Sequence, residues 1–345
     1  MSVRLLWGMT LILGAINDVG GDEVNEPATS DLSNGGRWAI VIHGGAGGDP
    51  GKWSADKADA RRAGLSRALK AGQAVLAAGG SALDAVETSI RVMEDDAVFN
   101  AGRGAVVTTA GRAELDASIM DGSDLACGAI AGVTRPKNPI SLARLVMAKT
   151  PHVLLAGPAA DDFAADQGVA LVDPDYFLSR REVWRNRDVA RPADDAAERH
   201  FGTVGCVALD RAGNLAAGTS TGGTSKKLPG RVGDSPIVGA GTYAANGWCA
   251  VSCTGRGEEF IRHAVAYDVA AQMRYAGTSL PEAVTRILRD RLRPGDGGLI
   301  AIGGDGTVVM QHNTPGMSCA AADDRGRFEV RLGLEGGGMV ASENR

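Results

Sequence analysis

Thr203 is the residue of this chain best placed to act as a nucleophile. A threonine hydroxyl is weak unless a base lies beside it, and the amine of an N-terminal threonine can be that base. Such an amine ordinarily titrates at about 7.7–8.0, so a good fraction of it is unprotonated near neutrality. Thr203 would have to become a new N-terminus, and the composition around it suits a cut before it. Residues 179–200 are mostly charged or small, among them Arg180, Arg181, Glu182, Arg185, Asp188, Asp194 and Glu198, with no apolar period. That predicts a mobile, solvated segment. Directly after it, Thr203 to Leu209 is β-branched and apolar, Asp210, Gly213 and Asn214 make a turn, and a second apolar stretch starts at Leu215. Two short strands joined by a turn are a hairpin, with Thr203 at its first residue. Taken alone, Thr203 reads more readily as an ordinary strand residue.

The elements that must position it follow in chain order. Trp38 to Ile42 is a short buried strand running into His43-Gly44-Gly45-Ala46-Gly47. That loop has neither GxGxxG nor a Walker lysine and reads as a structural turn near a site. A helix over residues 54–78 stops at Gly79-Gly80, and Ser81 with Asp84 caps the next one, whose Leu83, Val86, Ile90 and Met93 share a face. Glu94-Asp95-Asp96 reads as a solvated charged turn, because its acidic residues are consecutive rather than spaced as in a calcium loop. After Phe99-Asn100-Ala101-Gly102-Arg103-Gly104, strands are expected over residues 105–109, 115–119 and 127–133. Asn138-Pro139 starts a helix through Met147, and another follows Pro158.

Past the hairpin, Gly218-Thr219-Ser220-Thr221-Gly222-Gly223 and residues 227–236 combine glycines and hydroxyls at a density that suits a polar pocket floor. A strand over residues 250–253 delivers Thr254-Gly255, and Glu258 opens a helix bearing Ile261, Val265, Val269 and Met273. Ser279 with Glu282 caps one more helix, and residues 299–302, 308–311 and 328–331 read as closing strands. Strands and helices fall in separate blocks in both halves, which predicts two packed sheets with helices outside.

The length of 345 residues allows one large or two ordinary domains, and 44% hydrophobic residues support a real core. A net charge of −5 without a basic stripe argues against a nucleic-acid partner. The five cysteines lack metal spacing and read as buried thiols; Cys249 and Cys253 would lie roughly 13 Å apart in a strand, too far for a disulfide. Leu5 to Ile16 is too short an apolar run to span a bilayer. It reads either as the h-region of a signal peptide, or as a disordered leader or the product of a misassigned start codon, so export and a cytoplasmic location both stay open. The remainder of residues 1–36 reads as linker.

Gly202-Thr203-Val204-Gly205, Thr219-Ser220-Thr221-Gly222-Gly223, Gly230-Arg231-Val232-Gly233-Asp234-Ser235-Pro236 and Thr254-Gly255-Arg256-Gly257-Glu258 together resemble the plant-type L-asparaginase/isoaspartyl peptidase family. His43 to Gly47 and Phe99 to Gly102 strengthen the resemblance, which extends from Trp38 to about Val330. Glycosylasparaginases share the threonine and the run from Gly230 to Pro236, but the His43 and Thr254 stretches resemble the asparaginase branch more.

The resemblance implies an α+β fold, the four-layer αββα sandwich of N-terminal-nucleophile hydrolases, made as a precursor that cuts itself between Gly202 and Thr203. Residues 37–202 would form the α chain, with 179–202 as linker, and 203–345 the β chain. Thr203 would be nucleophile and its amine the base, Thr221 would sit beside the hydroxyl, Thr254 and the Gly255 amide would form the oxyanion hole, and Asn100 would order the site. Arg231 would hold the substrate α-carboxylate and Asp234 its α-amine. The family binds sodium through backbone carbonyls in a loop resembling Met93, Glu94, Asp96, Phe99, Ala101 and Arg103, and needs no cofactor for catalysis. The implied activity is hydrolysis of β-aspartyl dipeptides and L-asparagine by a dimer of αβ heterodimers, with no membrane or nucleic-acid partner. Glycosylasparaginase activity and an uncut binding protein are the alternatives.

The assigned roles suit elementary chemistry. A zwitterionic head needs one cation and one anion at fixed spacing, and arginine grips a carboxylate bidentately. Arg231 and Asp234 could instead pair with each other across their loop, for about 0–1 kcal/mol if exposed. Thr224 and Lys226 stand where the family commonly has methionine and asparagine, and Arg103 and Arg256 add positive charge near the bordering loops; leaving-group preference is the property these departures touch.

Overall fold

A computed structural model describes residues 36–178 and 202–333. Residues 1–35, where a signal peptide or leader was expected, the charged segment 179–201 and residues 334–345 lie outside the described residues. In chain order the strands are β1 (Ala39–Ala46), β2 (Leu115–Asp121), β3 (Cys127–Val133), β4 (Leu154–Ala156), β5 (Val204–Leu209), β6 (Leu215–Thr221), β7 (Thr242–Ala245), β8 (Cys249–Gly255), β9 (Gly297–Gly303), β10 (Val308–His312), β11 (Met317–Asp323) and β12 (Phe328–Arg331). The helices are α1 (Ala55–Ala77), α2 (Ala82–Glu94), α3 (Pro139–Lys149), α4 (Gly157–Asp166), α5 (Gly257–Arg262), α6 (Val265–Ala276) and α7 (Leu280–Arg286).

One sheet runs β12-β11-β1-β5-β6-β2-β3-β4 and the other β10-β9-β8-β7, with only the short β3/β4 contact parallel. The period of two along each strand divides the core into three layers. On β1, Ile40 and Ile42 face the helix layer of α1, α2 and α3, while Ala39 and Val41 face the second sheet. On β8, Ala250 faces the first sheet, while Cys249, Val251 and Cys253 pack with Val265, Val269, Val284 and Ile287 of the second helix layer. This is the expected αββα sandwich, and β5 lies at the centre of the large sheet between β1 and β6. The start of β5, where Thr203 sits, is therefore held from both sides.

The helices form for the reasons their sequences give. Ser54 and Ser81 accept from the amides of Lys57 and Asp84, and Val86, Ile90 and Met93 bury one stripe of α2. Six expectations fail. Glu94, expected in a solvated turn, is the fully buried last residue of α2, and His43 to Ala46, expected as a loop, continue β1. Residues 105–109 form no ladder, because Val106 N–H is taken by the Asn100 side chain and Thr108 closes a local turn with Arg112. The helix expected from Glu258 breaks at Ala264, which adopts a left-handed φ of 46°, so that α5 and α6 run separately over one shared apolar face. Neither Asn138 nor Ser279 makes a side-chain cap bond; the Asn138 amide donates to Asp95 Oδ1 instead. Strands β4, β7 and β11 are additional to those read from the sequence. Strand β11 is mostly small (Ser318, Cys319, Ala320, Ala321, Ala322), which hides its strand character, because both of its faces are tightly covered. All five cysteines are free thiols, four of them buried and Cys127 half-buried.

Candidate active site

Thr203 ends the coil leading into β5 and is 6% exposed. Its hydroxyl donates to Thr221 Oγ1 at 3.1 Å, and Thr221 also accepts from Gly223 N at 2.9 Å. The two threonines meet because β5 and β6 are the arms of one hairpin, and Val204 pairs with Ser220. Asn100 braces the turn that follows: its amide donates to Gly223 O at 2.6 Å, and its backbone carbonyl accepts from Gly222 N at 2.9 Å. Asn100 also packs on Gly202, where an added Cβ would come within 2.9 Å of the Asn100 Cβ.

Thr254, at the end of β8, accepts from Ala46 N at 3.1 Å. Its oxygen is thus occupied as an acceptor, which leaves the hydroxyl proton to donate. Gly202, Thr203, Thr221, Gly223, Thr224, Arg231, Gly233, Asp234, Ser235 and Gly255 line one cavity of about 10 Å³, close to a single water in size. A larger cavity of about 340 Å³ lies between α2, α3 and residues 167–170 and includes none of these groups, so size does not identify the site.

Arg231 pairs with Glu258 rather than with Asp234. Its Nε donates to Glu258 Oε1 at 3.0 Å, and Nη2 lies 3.0 Å from the same oxygen without aligning a hydrogen bond on it. Burial works against the Glu258 charge, but hydrogen bonding from its own backbone and the Arg231 guanidinium hold its carboxyl below the usual range. Arg231 Nη2, Asp234 Oδ2 and Ser235 Oγ are buried without a hydrogen-bond partner among the described residues. Burial pushes Asp234 up to about 7, against its backbone hydrogen bond and the nearby Arg231 charge. Unpaired buried polar groups are costly, so a cation donor and a carboxylate left open in one cleft point to a ligand with both charges.

The structure brings Thr203, Thr221, Arg231, Asp234 and Gly255 to one cleft, with Thr254 and Asn100 buried behind it. A profile described as asparaginase matches residues 36–332. The chain belongs to the asparaginase family. Several members of the family are similar over most of their length. A "Probable isoaspartyl peptidase/L-asparaginase 2" from Arabidopsis thaliana is 44% identical, covering 86% of this chain and 99% of the relative. An "Isoaspartyl peptidase" from Salmonella typhimurium is 48% identical over 81% of this chain and 93% of its own. An "Isoaspartyl peptidase/L-asparaginase" from Mus musculus is 41% identical over 86% and 90%.

For the asparaginase family's expected sodium loop, Gly102 and Gly104 are informative. A Cβ on Gly102 would lie 2.5 Å from Glu94 O, and one on Gly104 would lie 2.0 Å from Phe99 O and 2.7 Å from Ala97 O. The glycines thus let the backbone pass close to these carbonyls, where any side chain would collide with them. Among the described residues no group of three or more His, Cys, Asp or Glu is placed to hold a metal. The Glu94 side chain turns away, accepting from Ile140 N and Ser220 Oγ, and burial raises its carboxyl to about 8 against those bonds.

Three features of the site have no role assigned by residue type or spacing alone. Glu258, a helix start and the last member of the Thr254 to Glu258 motif, pairs with Arg231, a contact the sequence does not assign. Gly205 and His43 were read as motif members without a contact. Ser252 and Thr219 were legible as polar residues at inward positions of strands, where period two puts Ser252 on the same face as Thr254.

Proposed function

We propose that this protein is a self-cleaving β-aspartyl hydrolase that releases L-aspartate from β-aspartyl dipeptides and from L-asparagine through a threonine acyl-enzyme. The carrying observation is that the Thr203 hydroxyl, bonded to Thr221, opens on the same cleft as Arg231 Nη2 and Asp234 Oδ2, neither of which makes a hydrogen bond among the described residues. In the precursor the Thr203 hydroxyl attacks the Gly202 carbonyl, the C–N bond breaks with a proton passing to the nitrogen, which leaves a Gly202 ester on Thr203 Oγ1 and a free Thr203 amine, and water hydrolyses the ester to a Gly202 carboxylate and the regenerated Thr203 hydroxyl.

In the mature enzyme Arg231 takes the substrate α-carboxylate and Asp234 its α-ammonium. The Thr203 amine accepts the hydroxyl proton as the oxygen attacks the side-chain carbonyl. The developing oxyanion is met by the Thr254 hydroxyl, whose own oxygen is occupied by Ala46 N–H, and by the Gly255 amide. The proton then passes to the leaving nitrogen, which departs as ammonia or an amino acid, and water releases aspartate from the ester. Recognition rests on the aspartyl half, so one site serves both leaving groups.

A sodium ion would be structural, held by carbonyls of Met93, Glu94, Asp96, Phe99, Ala101 and Arg103, and would fix the loop that carries Asn100. No cofactor takes part in the chemistry, and the mature unit is a dimer of αβ heterodimers. Initial rates on L-asparagine, β-aspartyl-leucine and glycosylasparagine test the reading. Turnover of the first two supports it, no turnover of either sinks it, and faster cleavage of glycosylasparagine would favour the glycosylasparaginase alternative.

A further inference from the structure

Between the two sheets the core is apolar and rich in alanine, except for a band of polar side chains beneath Thr203. His43 on β1 lies at its head, fully buried. Its Nδ1 is 3.1 Å from the Thr203 carbonyl oxygen and its Nε2 is 3.0 Å from Ser252 Oγ. Burial holds the imidazole down to about 3, against the backbone hydrogen bond, so the ring is neutral and has a single N–H. A carbonyl only accepts, so the proton sits on Nδ1, and Nε2 accepts from Ser252.

That assignment orders the hydroxyls behind it. Ser252 has one proton, committed to His43, so its oxygen accepts from Thr219 at 2.7 Å. Thr219 accepts from Thr242 at 2.6 Å, and Thr242 accepts from Ser118 at 2.8 Å. Thr219 and Ser118 share their protons with the carbonyls of Gly241 at 3.1 Å and Ser235 at 2.6 Å. The donors thus point one way, from Ser118 on β2 through β7, β6 and β8 to β1 and the Thr203 carbonyl. Bonds aligned in this sense polarise and strengthen one another.

The space for the contact is built into the sequence. Gly205 pairs with His43 in the β1/β5 ladder, and a Cβ there would sit 2.0 Å from Ser252 Oγ and 2.3 Å from His43 Nε2. Any side chain at residue 205 would push apart the two groups that meet beneath the nucleophile.

We infer that His43 is a positioning residue for the nucleophile: its Nδ1–H grips the Thr203 carbonyl, the side of that residue which self-cleavage leaves untouched. Cutting removes the peptide anchor at the Thr203 nitrogen and frees rotation about the new N-terminal residue. The His43 bond and the Thr203–Thr221 hydroxyl contact then remain to keep the hydroxyl aimed. Misplacement of a reacting group by about 1 Å can cost on the order of 100-fold in rate. The inference rests on Thr203 being the nucleophile.

Two amide substitutions separate the bond from the bulk. In His43→Asn the amide nitrogen falls near the former Nδ1 and can still donate to Thr203; in His43→Gln it falls near Nε2 and reaches Ser252 instead. His43→Asn should cut itself and keep kcat within about tenfold of wild type, while His43→Gln should lose about 100-fold in kcat, both with KM unchanged because Arg231 and Asp234 are untouched. Equal kcat for the two, or a better His43→Gln enzyme, would mean that His43 only fills space and would overturn the inference.

A measurement on the unmutated protein stands independently of how the variants fold. Nitrogen-15 NMR of the five histidines, with the His43 ring assigned apart from His312, whose Nδ1 also faces a carbonyl (Thr314 O, 2.9 Å), should show a His43 ring with a protonated Nδ1 and an unprotonated Nε2 that does not titrate between pH 5 and 8. Finding no such ring would overturn the inference. Wild-type protein that stays uncut at Gly202–Thr203 would remove both this inference and the proposed function, whereas cut wild type with indistinguishable amide variants would remove this one alone.

Discussion

Asp234 gives the proposed substrate site a pH dependence of definite sign. Its carboxyl is raised from 3.8 to about 7 because it is buried, with Oδ2 left unpartnered. A raised folded-state value means that the protonated form is the one the fold favours. The associated stability is complete below 3.8 and is lost as pH rises towards 7, a cost of up to about 4 kcal/mol for holding the charge at higher pH. A substrate ammonium offsets that cost, so binding selects ionised Asp234 and must displace a proton below pH 7. One site titrating at 7 weakens binding about tenfold between pH 8 and pH 6, and about 90-fold between pH 8 and pH 5.

The assay is calorimetric titration of the matured enzyme with L-aspartate from pH 5 to 8, beside self-cleaved Asp234→Asn. The Thr203 amine titrates in both proteins, so the ratio of their dissociation constants isolates Asp234. Wild type should bind far better at pH 8, and the gap should close by about tenfold at pH 6 and further at pH 5. Parallel curves for the two proteins across that range would refute both the raised carboxyl and its role at the ammonium.

Arg231→Ala leaves Gly202, Thr203 and Thr221 in place, so two fragments should still form on a gel. Loss of a charge-assisted contact to a desolvated carboxylate costs on the order of 2–5 kcal/mol, so kcat/KM in an aspartate-release assay should fall at least ~30-fold. Thr254→Val removes the hydroxyl that Ala46 leaves free to donate and should lower kcat about 10²–10³-fold with little change in KM, read from steady-state kinetics on β-aspartyl-leucine. The proposed sodium site predicts a lower unfolding midpoint when sodium is replaced with a bulky organic cation, and loss of that dependence in Gly104→Ala, whose Cβ would meet Phe99 O, one of the proposed ligands.

The layers of the sandwich were readable where burial follows a simple period. Val86, Ile90 and Met93 on α2, and the alternation of Ile40 and Ile42 with Ala39 and Val41 on β1, announce their faces directly. Strand β11 was not readable, since alanines and Ser318 satisfy a tightly covered strand without the β-branched signature that marks one in sequence. Ala264 broke an apparently continuous helix through a backbone conformation that its side chain does not advertise. At the site, Thr203, Arg231 and Asp234 carry their chemistry in their residue types. Glu258, His43 and Ser252 act through partners 27, 160 and 209 residues away, pairings that only the folded register brings together.

The most direct test of the account is the intact mass of the purified protein, followed by sequencing of the C-terminal piece. The account predicts two chains, the second beginning at Thr203, and a single uncut chain for Thr203→Ala. Wild type that remains one unbroken 35.4 kDa chain, or a Thr203→Ala protein cut at the same peptide bond, would contradict it.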